Sequence, residues 1–298
     1  MGWFVEALDK WVTSFLVEIT AKLLSMLAYI MNAITGSAID SLKLMPKEWN
    51  EELYTLVKNV HGNVIVPLAV LVLAFLMTKE LIDSFLEHNN MKTMQDEYLF
   101  KWLFRIIIAL FFISKSFEII NGILILSKIF INNTHLKQEN IDFAIKNIAE
   151  WKKQVANNLS TGTAFILMLG TTICSVLSIT KLIKILIAVF KRMFDMLFLL
   201  CFGAIPMSLI TSSKYESQTW NFLRKVFAVC LQVAIFLLLI KMLNVVWNSF
   251  ILTDFTKAEI TYQGIILSLL KMVAYISCIS LAFDKVEDIS EQFLGIRG

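Results

Sequence analysis

The chain has 298 residues, of which 57% are hydrophobic and 17% are charged, and its formal net charge is +3 at pH 7. Soluble domains are roughly 45–50% apolar and about 25% charged, so the composition indicates a membrane protein. The small net charge gives no support for nucleic-acid binding through bulk electrostatics. The first ten residues, MGWFVEALDK, lack the basic segment and apolar core of a signal peptide.

The first predicted element is a long helix over residues 3–34, which Gly36 and Ser37 are expected to end. Apolar residues recur there at intervals of three and four, and Glu18 and Lys22 form a favourable i,i+4 pair. The pattern favours a helix in the membrane interface, anchored by tryptophans. A spanning helix with a polar stripe, packed within an assembly, is the alternative.

Six predicted membrane spans follow, because crossing a bilayer core takes about 20 mostly apolar residues in an α-helix. They lie at about 62–82, 99–124, 162–182, 193–213, 225–247 and 262–283. A further amphipathic helix is predicted outside the membrane at about 138–160. The predicted regions are an N-terminal amphipathic region (1–60), a transmembrane bundle (61–285) and a polar tail (286–298). The expected fold class is therefore all-α, a polytopic helical protein of the cell membrane.

Four cations between the third and fourth predicted spans define a basic turn that closes a helical hairpin. They are Lys181, Lys184, Lys191 and Arg192. The positive-inside rule favours a cytoplasmic position for such a short basic connection. The turn is interpreted either as ordinary topology-setting charge or as a docking site for an ATPase or for phosphates.

Five polar side chains fall inside the predicted spans. They are Lys115, Glu118, Gln232, Lys241 and Lys271. A charge at the centre of a membrane helix costs about 2.5–3.5 kcal/mol on insertion scales, so such residues usually face a bundle interior or water. Three interpretations stay open: an interhelical pair, for example Lys271 with Glu118, a hydrated channel wall, or snorkelling to the interface.

The sequence contains no catalytic, phosphate-binding or metal-ligand motif. The three histidines are far apart, in predicted loops or at span ends, and His61-Gly62-Asn63 is interpreted as a span boundary. The four cysteines lie in separate apolar runs without a CxxC, which favours small packing residues over disulfides or metal ligands. We expect neither an enzyme nor a cofactor.

Several short blocks follow one another in a fixed order over roughly residues 45–235. Their characteristic residues are Pro46, Trp49, Asn50, Pro67, Glu80, Asn89, Asn90, Lys101, Trp102 and Pro206. In this order they resemble the TrbL-like conjugal transfer proteins of Gram-positive integrative and conjugative elements and plasmids. Those proteins are polytopic channel subunits of type IV secretion systems. The family commonly has two prolines in the fourth span, where this chain has only Pro206, and the last span and tail match poorly.

The resemblance implies a membrane channel or scaffold subunit that takes part in moving a relaxase-bound DNA strand out of a donor cell. It implies further copies of the same chain, conjugation ATPases, a small bitopic scaffold subunit and a cell-wall hydrolase as partners. Membrane lipid and the transferred single-stranded DNA–relaxase complex are further expected contacts. The alternative is a transporter or export permease for a small molecule or peptide, although the sequence lacks the internal repeat that many transporters have. A scaffold protein without a pore is a third hypothesis.

Overall fold

A computed structural model describes residues 2–87, 96–133, 143, 148–212, 214–248 and 262–296. These residues are almost entirely helical and contain no strand, which confirms the predicted all-α class. Five of the described helices are long and apolar enough to cross a membrane. They lie within Glu6–Lys43, Glu51–Leu86, Thr161–Phe202, Glu216–Val246 and Ile266–Asp284. The chain is a multi-pass membrane protein.

Helix α1 extends over Gly2–Lys43 and is longer than the sequence predicts. It runs through Gly36 and Ser37, so the predicted end at these two residues is wrong. The helix continues because the buried stripe continues at helical spacing, through Ala38, Ile39 and Leu42. Its length and apolar composition agree with the spanning alternative.

A continuous helical run begins at Glu51. It consists of α3 (Glu51–Val60), a π turn (His61–Ile65) and α4 (Val66–Glu87), preceded by the short helix α2 (Pro46–Trp49). The helix passes through His61-Gly62-Asn63 without a break, and the span boundary predicted there stays a prediction. Pro67 follows directly and has no N–H to donate. The wider turn, in which the Val66 N–H bonds the His61 carbonyl, accommodates that missing donor.

Helix α5 extends over Asp96–Asn133 and contains the predicted second span, although it is not among the five helices named above. It packs antiparallel to the run that ends in α4. Trp102 Nε1 donates to Met77 O at 3.3 Å near one end, and Ser116 Oγ lies 3.1 Å from His61 Nε2 at the other.

Helix α7 extends over Thr161–Phe202 as one uninterrupted helix of 42 residues, after the short α6 at Ile148–Asn158. At a rise of 1.5 Å per residue α7 is about 63 Å long. The predicted hairpin is therefore wrong: residues 181–192 do not form a turn, and the third and fourth spans are not separate helices. The segment contains neither Gly nor Pro, and its residues Leu182, Ile185 and Val189 continue the buried stripe.

The chain leaves α7 through a short break and then forms its last helices. These are α8 (Ala204–Met207), α9 (Glu216–Val246), α10 (Tyr262–Asp284) and α11 (Val286–Phe293). Pro206, which the sequence places in the fourth predicted span, lies in α8, after α7 has ended at Phe202. The predicted polar tail contains α11, in which Ser290 and Glu291 are buried.

The chain divides into two compact units, each assembled from distant segments. The first unit comprises residues 1–41, 135–189 and 235–286, and the second comprises residues 42–134, 190–234 and 287–298. The predicted division at residues 60 and 285 concerns position relative to a membrane, and it stays a prediction.

The first unit is held by polar as well as aromatic contacts. Thr13 Oγ1 and Thr161 Oγ1 are 2.7 Å apart, which ties α1 to the start of α7. The Phe143 N–H donates to Asn32 Oδ1 at 3.1 Å, and the Phe143 ring meets the edge of Trp247 at 5.9 Å. Within the predicted amphipathic helix at 138–160, α6 buries Trp151 and Val155; residues 138–142 and 144–147 lie outside the described part.

The second unit has two apolar clusters along α5. One joins α5 to α7 and α9, and its fully buried members include Leu124, Met193 and Val226. The other joins α5 to α4 and α8, with Leu73 and Ala204 among its buried members. Most of the polar residues that sequence analysis singled out lie in this second unit.

Candidate functional site

The sequence block Pro46-Lys47-Glu48-Trp49-Asn50 builds the corner that leads into α3. Pro46 opens α2, the Met45 N–H donates to Glu48 Oε2 at 3.0 Å, and Asn50 Oδ1 accepts from the Leu53 N–H at 2.9 Å. Lys128 of α5 donates to the other Glu48 oxygen, and this bond holds the pKa of that carboxyl below its ordinary value. The corner therefore links α2 to α5.

Other residues of the family resemblance also have structural contacts. The Trp49 ring meets the edge of Phe194 at 5.5 Å, and Arg105 Nη1 donates to Glu80 Oε1 at 3.0 Å. Thr219 Oγ1 donates to the Pro206 carbonyl at 2.6 Å. Trp102 bonds α4 as described above, whereas Pro67 and Lys101 are exposed. Asn89 and Asn90 lie outside the described residues.

The five polar residues of the predicted spans divide between the two units. Lys115 Nζ and Glu118 Oε1 pair within α5 at 3.0 Å, with side-chain exposures of 48% and 69%. Lys241 and Lys271 are exposed residues of the first unit, and Gln232 is buried in the second. The interhelical pairing suggested for Glu118 stays a prediction.

The four cations of the predicted basic turn lie on one helix, α7, and divide between the two units. Lys181 and Lys184 belong to the first unit, and Lys191 and Arg192 belong to the second. Lys191 Nζ donates to Glu287 of α11. These cations form no turn, and their docking role stays a prediction.

Arg192 occupies an environment that the sequence does not suggest, since its side chain is 1% exposed. Its Nε donates to the Val229 carbonyl at 3.4 Å, and Nη1 lies 3.9 Å from Met193 Sδ. Nη2 has no hydrogen-bond partner, and no described carboxylate lies within salt-bridge distance. A buried guanidinium without a counter-charge is unfavourable for folding.

We expect Arg192→Met to stabilise the protein. The methionine keeps much of the apolar volume and removes the unpaired charge, so the free energy of unfolding should rise by about 1–4 kcal/mol. Thermal unfolding of the detergent-solubilised protein measures this, with Lys184→Met, an exposed position on the same helix, as the control. A lower melting temperature for Arg192→Met alone would contradict the prediction.

A charged cleft of about 250 Å³ lies beside α11, between α7 and α9. Lys225 Nζ of α9 is 3.6 Å from Glu291 Oε1, and Gln232 Nε2 donates to Ser290 Oγ at 3.5 Å. The remaining lining includes Asp195 and the aromatic residues Phe198, Phe202 and Phe222. Sequence analysis singled out Lys191 and Gln232 but missed their partners in α11, Glu287 and Ser290. The composition of residues 286–298 indicates a polar, solvent-exposed tail.

His61 is another polar residue whose burial sequence analysis missed. Its Nδ1 donates to the Cys201 carbonyl at 2.8 Å, and its Nε2 lies 3.1 Å from Ser116 Oγ. Cys201 lies in the last turn of α7, where carbonyl groups lack an intrahelical donor. His61 thus joins the π turn, α5 and the end of α7. His61 lies four residues before Ile65, which is also buried, and this helical spacing was the sequence signal that could have predicted its burial.

The described residues hold no group of three or more His, Cys, Asp or Glu side chains that could bind a metal ion. Of the four cysteines, Cys174, Cys201 and Cys230 are buried and Cys278 is exposed, and all are free thiols. The candidate sites are therefore polar contacts between helices.

Comparison with known proteins identifies one family. Its model, described as TrbL/VirB6 plasmid conjugal transfer like protein, matches residues 31–204, more than half of the chain. No curated protein and no solved structure matches. The match runs from residue 31 of α1 through the whole of α7 to the first residue of α8.

Proposed function

The chain belongs to the TrbL/VirB6 plasmid conjugal transfer-like family, and from that membership we propose that it forms part of the channel through which a conjugative element passes its DNA. The family makes the chain a membrane subunit of a conjugal transfer system and implies association with other secretion-system subunits. The finer proposal is that several copies surround a path for the relaxase-bound strand. Conjugation ATPases, a small bitopic subunit and a cell-wall hydrolase would complete the assembly. In this role the subunit positions other components and performs no catalysis.

The Lys115–Glu118 pair is the observation that supports a channel role best. Both side chains are exposed on α5, between apolar stretches of the same helix that include the exposed Ile107 and Ile125. Lipid tails do not solvate such a pair, and charges at membrane depth usually face water or another protein. We therefore propose that this face of α5 lines the channel or meets a neighbouring copy beside it.

Cysteine accessibility tests the proposal in the assembled system. In a background without the native cysteines, Lys115→Cys should react with a membrane-impermeant thiol reagent when the other transfer proteins are present. Leu110→Cys, an exposed apolar position about 140° around the helix from Lys115, is the matched control and should react far less because lipid covers it. No reaction at position 115 would contradict a hydrated role for this face.

Transfer assays test the function itself. A clean in-frame deletion should abolish transfer of the element while leaving its excision intact, and the wild-type chain supplied in trans should restore transfer. Normal transfer by the deletion strain would refute a role in the channel. Uptake or efflux by the purified protein alone in liposomes would favour a transporter instead.

A further inference from the structure

Helix α11 is attached to the second unit by three side-chain pairs on one of its faces. Lys191 of α7 donates to Glu287, and Lys225 of α9 lies 3.6 Å from Glu291. Ser290, between them, accepts from Gln232. Glu287 and Glu291 are four residues apart, so both carboxylates project from the same side of the helix. The surface formed by Lys191, Lys225 and Gln232 is called the α11 seat below.

The ion pairs that hold α11 on this seat are weak, and the helix is short. The helix has eight residues, and isolated helices of that length are unstable in water. The Lys191 and Lys225 side chains are 60% and 49% exposed, and ion pairs that are this exposed contribute little to stability. Glu291, in contrast, is 3% exposed, so the seat binds a carboxylate that is shielded from solvent.

The seat is also larger than its occupant. The cleft of about 250 Å³ remains open beside α11, and its walls carry Phe198, Phe202 and Phe222. These rings offer an apolar surface beside α11, whose own aromatic residue, Phe293, is 74% exposed. A helix that used both the lysines and the aromatic wall would bury more surface than α11 does.

We infer that the α11 seat is a docking site for an acidic amphipathic helix of another secretion-system subunit, and that α11 occupies it in the free chain. The partner helix carries two carboxylates four residues apart, which pair with Lys191 and Lys225, and a neighbouring apolar side chain that enters the cleft. Charge complementarity identifies this class of partner, because the resident occupant has the same carboxylate spacing. The inference does not depend on whether the subunit lines a channel.

A peptide that copies residues 284–296 of this chain serves as the probe, labelled with fluorescein and added to the full-length protein in detergent. Binding is followed by fluorescence anisotropy. Wild-type protein should bind weakly, because α11 occupies the seat. The double variant Glu287→Gln/Glu291→Gln should bind at least about tenfold more tightly, since weakening the resident helix raises the fraction of competent seats.

Charge variants identify the seat as the place of binding. Adding Lys191→Glu/Lys225→Glu to the double variant should abolish binding, and so should replacing both glutamates of the peptide with glutamine. Lys181→Glu/Lys184→Glu, on the same helix but in the first unit, should leave binding unchanged. Equal affinity in wild type and double variant, or binding that ignores Lys191 and Lys225, would overturn the inference.

A second measurement on the wild-type chain avoids the risk that a variant misfolds. Saturating peptide should speed hydrogen exchange of the amides in residues 286–293, because the resident helix is displaced; unchanged exchange would contradict displacement. Disulfide formation in a mixture of Lys225→Cys copies and Glu291→Cys copies tests whether α11 of a second copy occupies the seat. Disulfide-linked dimers in that mixture would show that α11 of a second copy fills the seat, which overturns the proposal of a different subunit.

Discussion

Replacing Gly203 by alanine is expected to lower the free energy of unfolding by about 1–3 kcal/mol, the usual cost of overpacking a well-packed core. Gly203 follows the last residue of α7, and its backbone is helical, with φ −60°, so an alanine is not strained by its conformation. The cost is steric, because a methyl group there would lie 1.9 Å from Ile120 Cδ1 of α5. Unfolding in mixed detergent micelles, followed by circular dichroism, measures the change.

Two further variants identify the steric cause. Ile120→Val removes the clashing Cδ1 atom, so the double variant should recover part of what Gly203→Ala loses, although Ile120→Val alone costs about 0.5–1.5 kcal/mol. Gly122→Ala is the matched control, because nothing lies within 4 Å of the added methyl group. It should stabilise α5 by up to about 1 kcal/mol through helix propensity. Equal effects at positions 203 and 122 would refute the proposed close approach.

His61→Ala is expected to have an effect of similar or greater size. It leaves the buried Cys201 carbonyl without its donor, which costs about 1–3 kcal/mol, and the cavity left by the imidazole adds to that. The same unfolding experiment measures the loss, and hydrogen exchange near the end of α7 should rise with it.

Asn59→Ala is the control for His61→Ala, since Asn59 is an exposed polar residue two positions earlier on the same helical run. It should change the free energy of unfolding by less than about 0.5 kcal/mol. If the two variants behave alike, the His61–Cys201 bond contributes nothing to the stability of the second unit.

Helical content and the apolar segments could be predicted from the sequence, because both follow from composition and spacing. The ends of the helices could not. Four cations between residues 181 and 192 suggested a turn, yet lysine and arginine are good helix formers and do not interrupt a helix. Gly36 and Ser37 suggested an end, yet burial of Ala38 and Leu42 outweighs the small propensity cost of one glycine.

The candidate sites were less predictable, because they depend on contacts between distant segments. Gln232 was recognised as a polar residue inside a span, and Lys191 and Arg192 were interpreted as cations of a basic turn. Nothing in their local sequence tells that Arg192 is buried or that Lys191 meets Glu287, which lies 96 residues away. Short-range patterns report periodicity, whereas these pairings arise only when α7, α9 and α11 pack together.

The π turn sets the helical phase of the run from Glu51 to Glu87. Residues four apart differ by about 400° in an α-helix, so the buried repeat from His61 to Met77 would drift by about 40° at each step. One wide turn absorbs an extra residue and offsets about 100° of that drift. Deletion of Gly62 would convert the π turn into an ordinary α-helical turn and rotate α3 by about 100° about the helix axis relative to α4. A length difference of one residue here would therefore change which face of α3 meets the core.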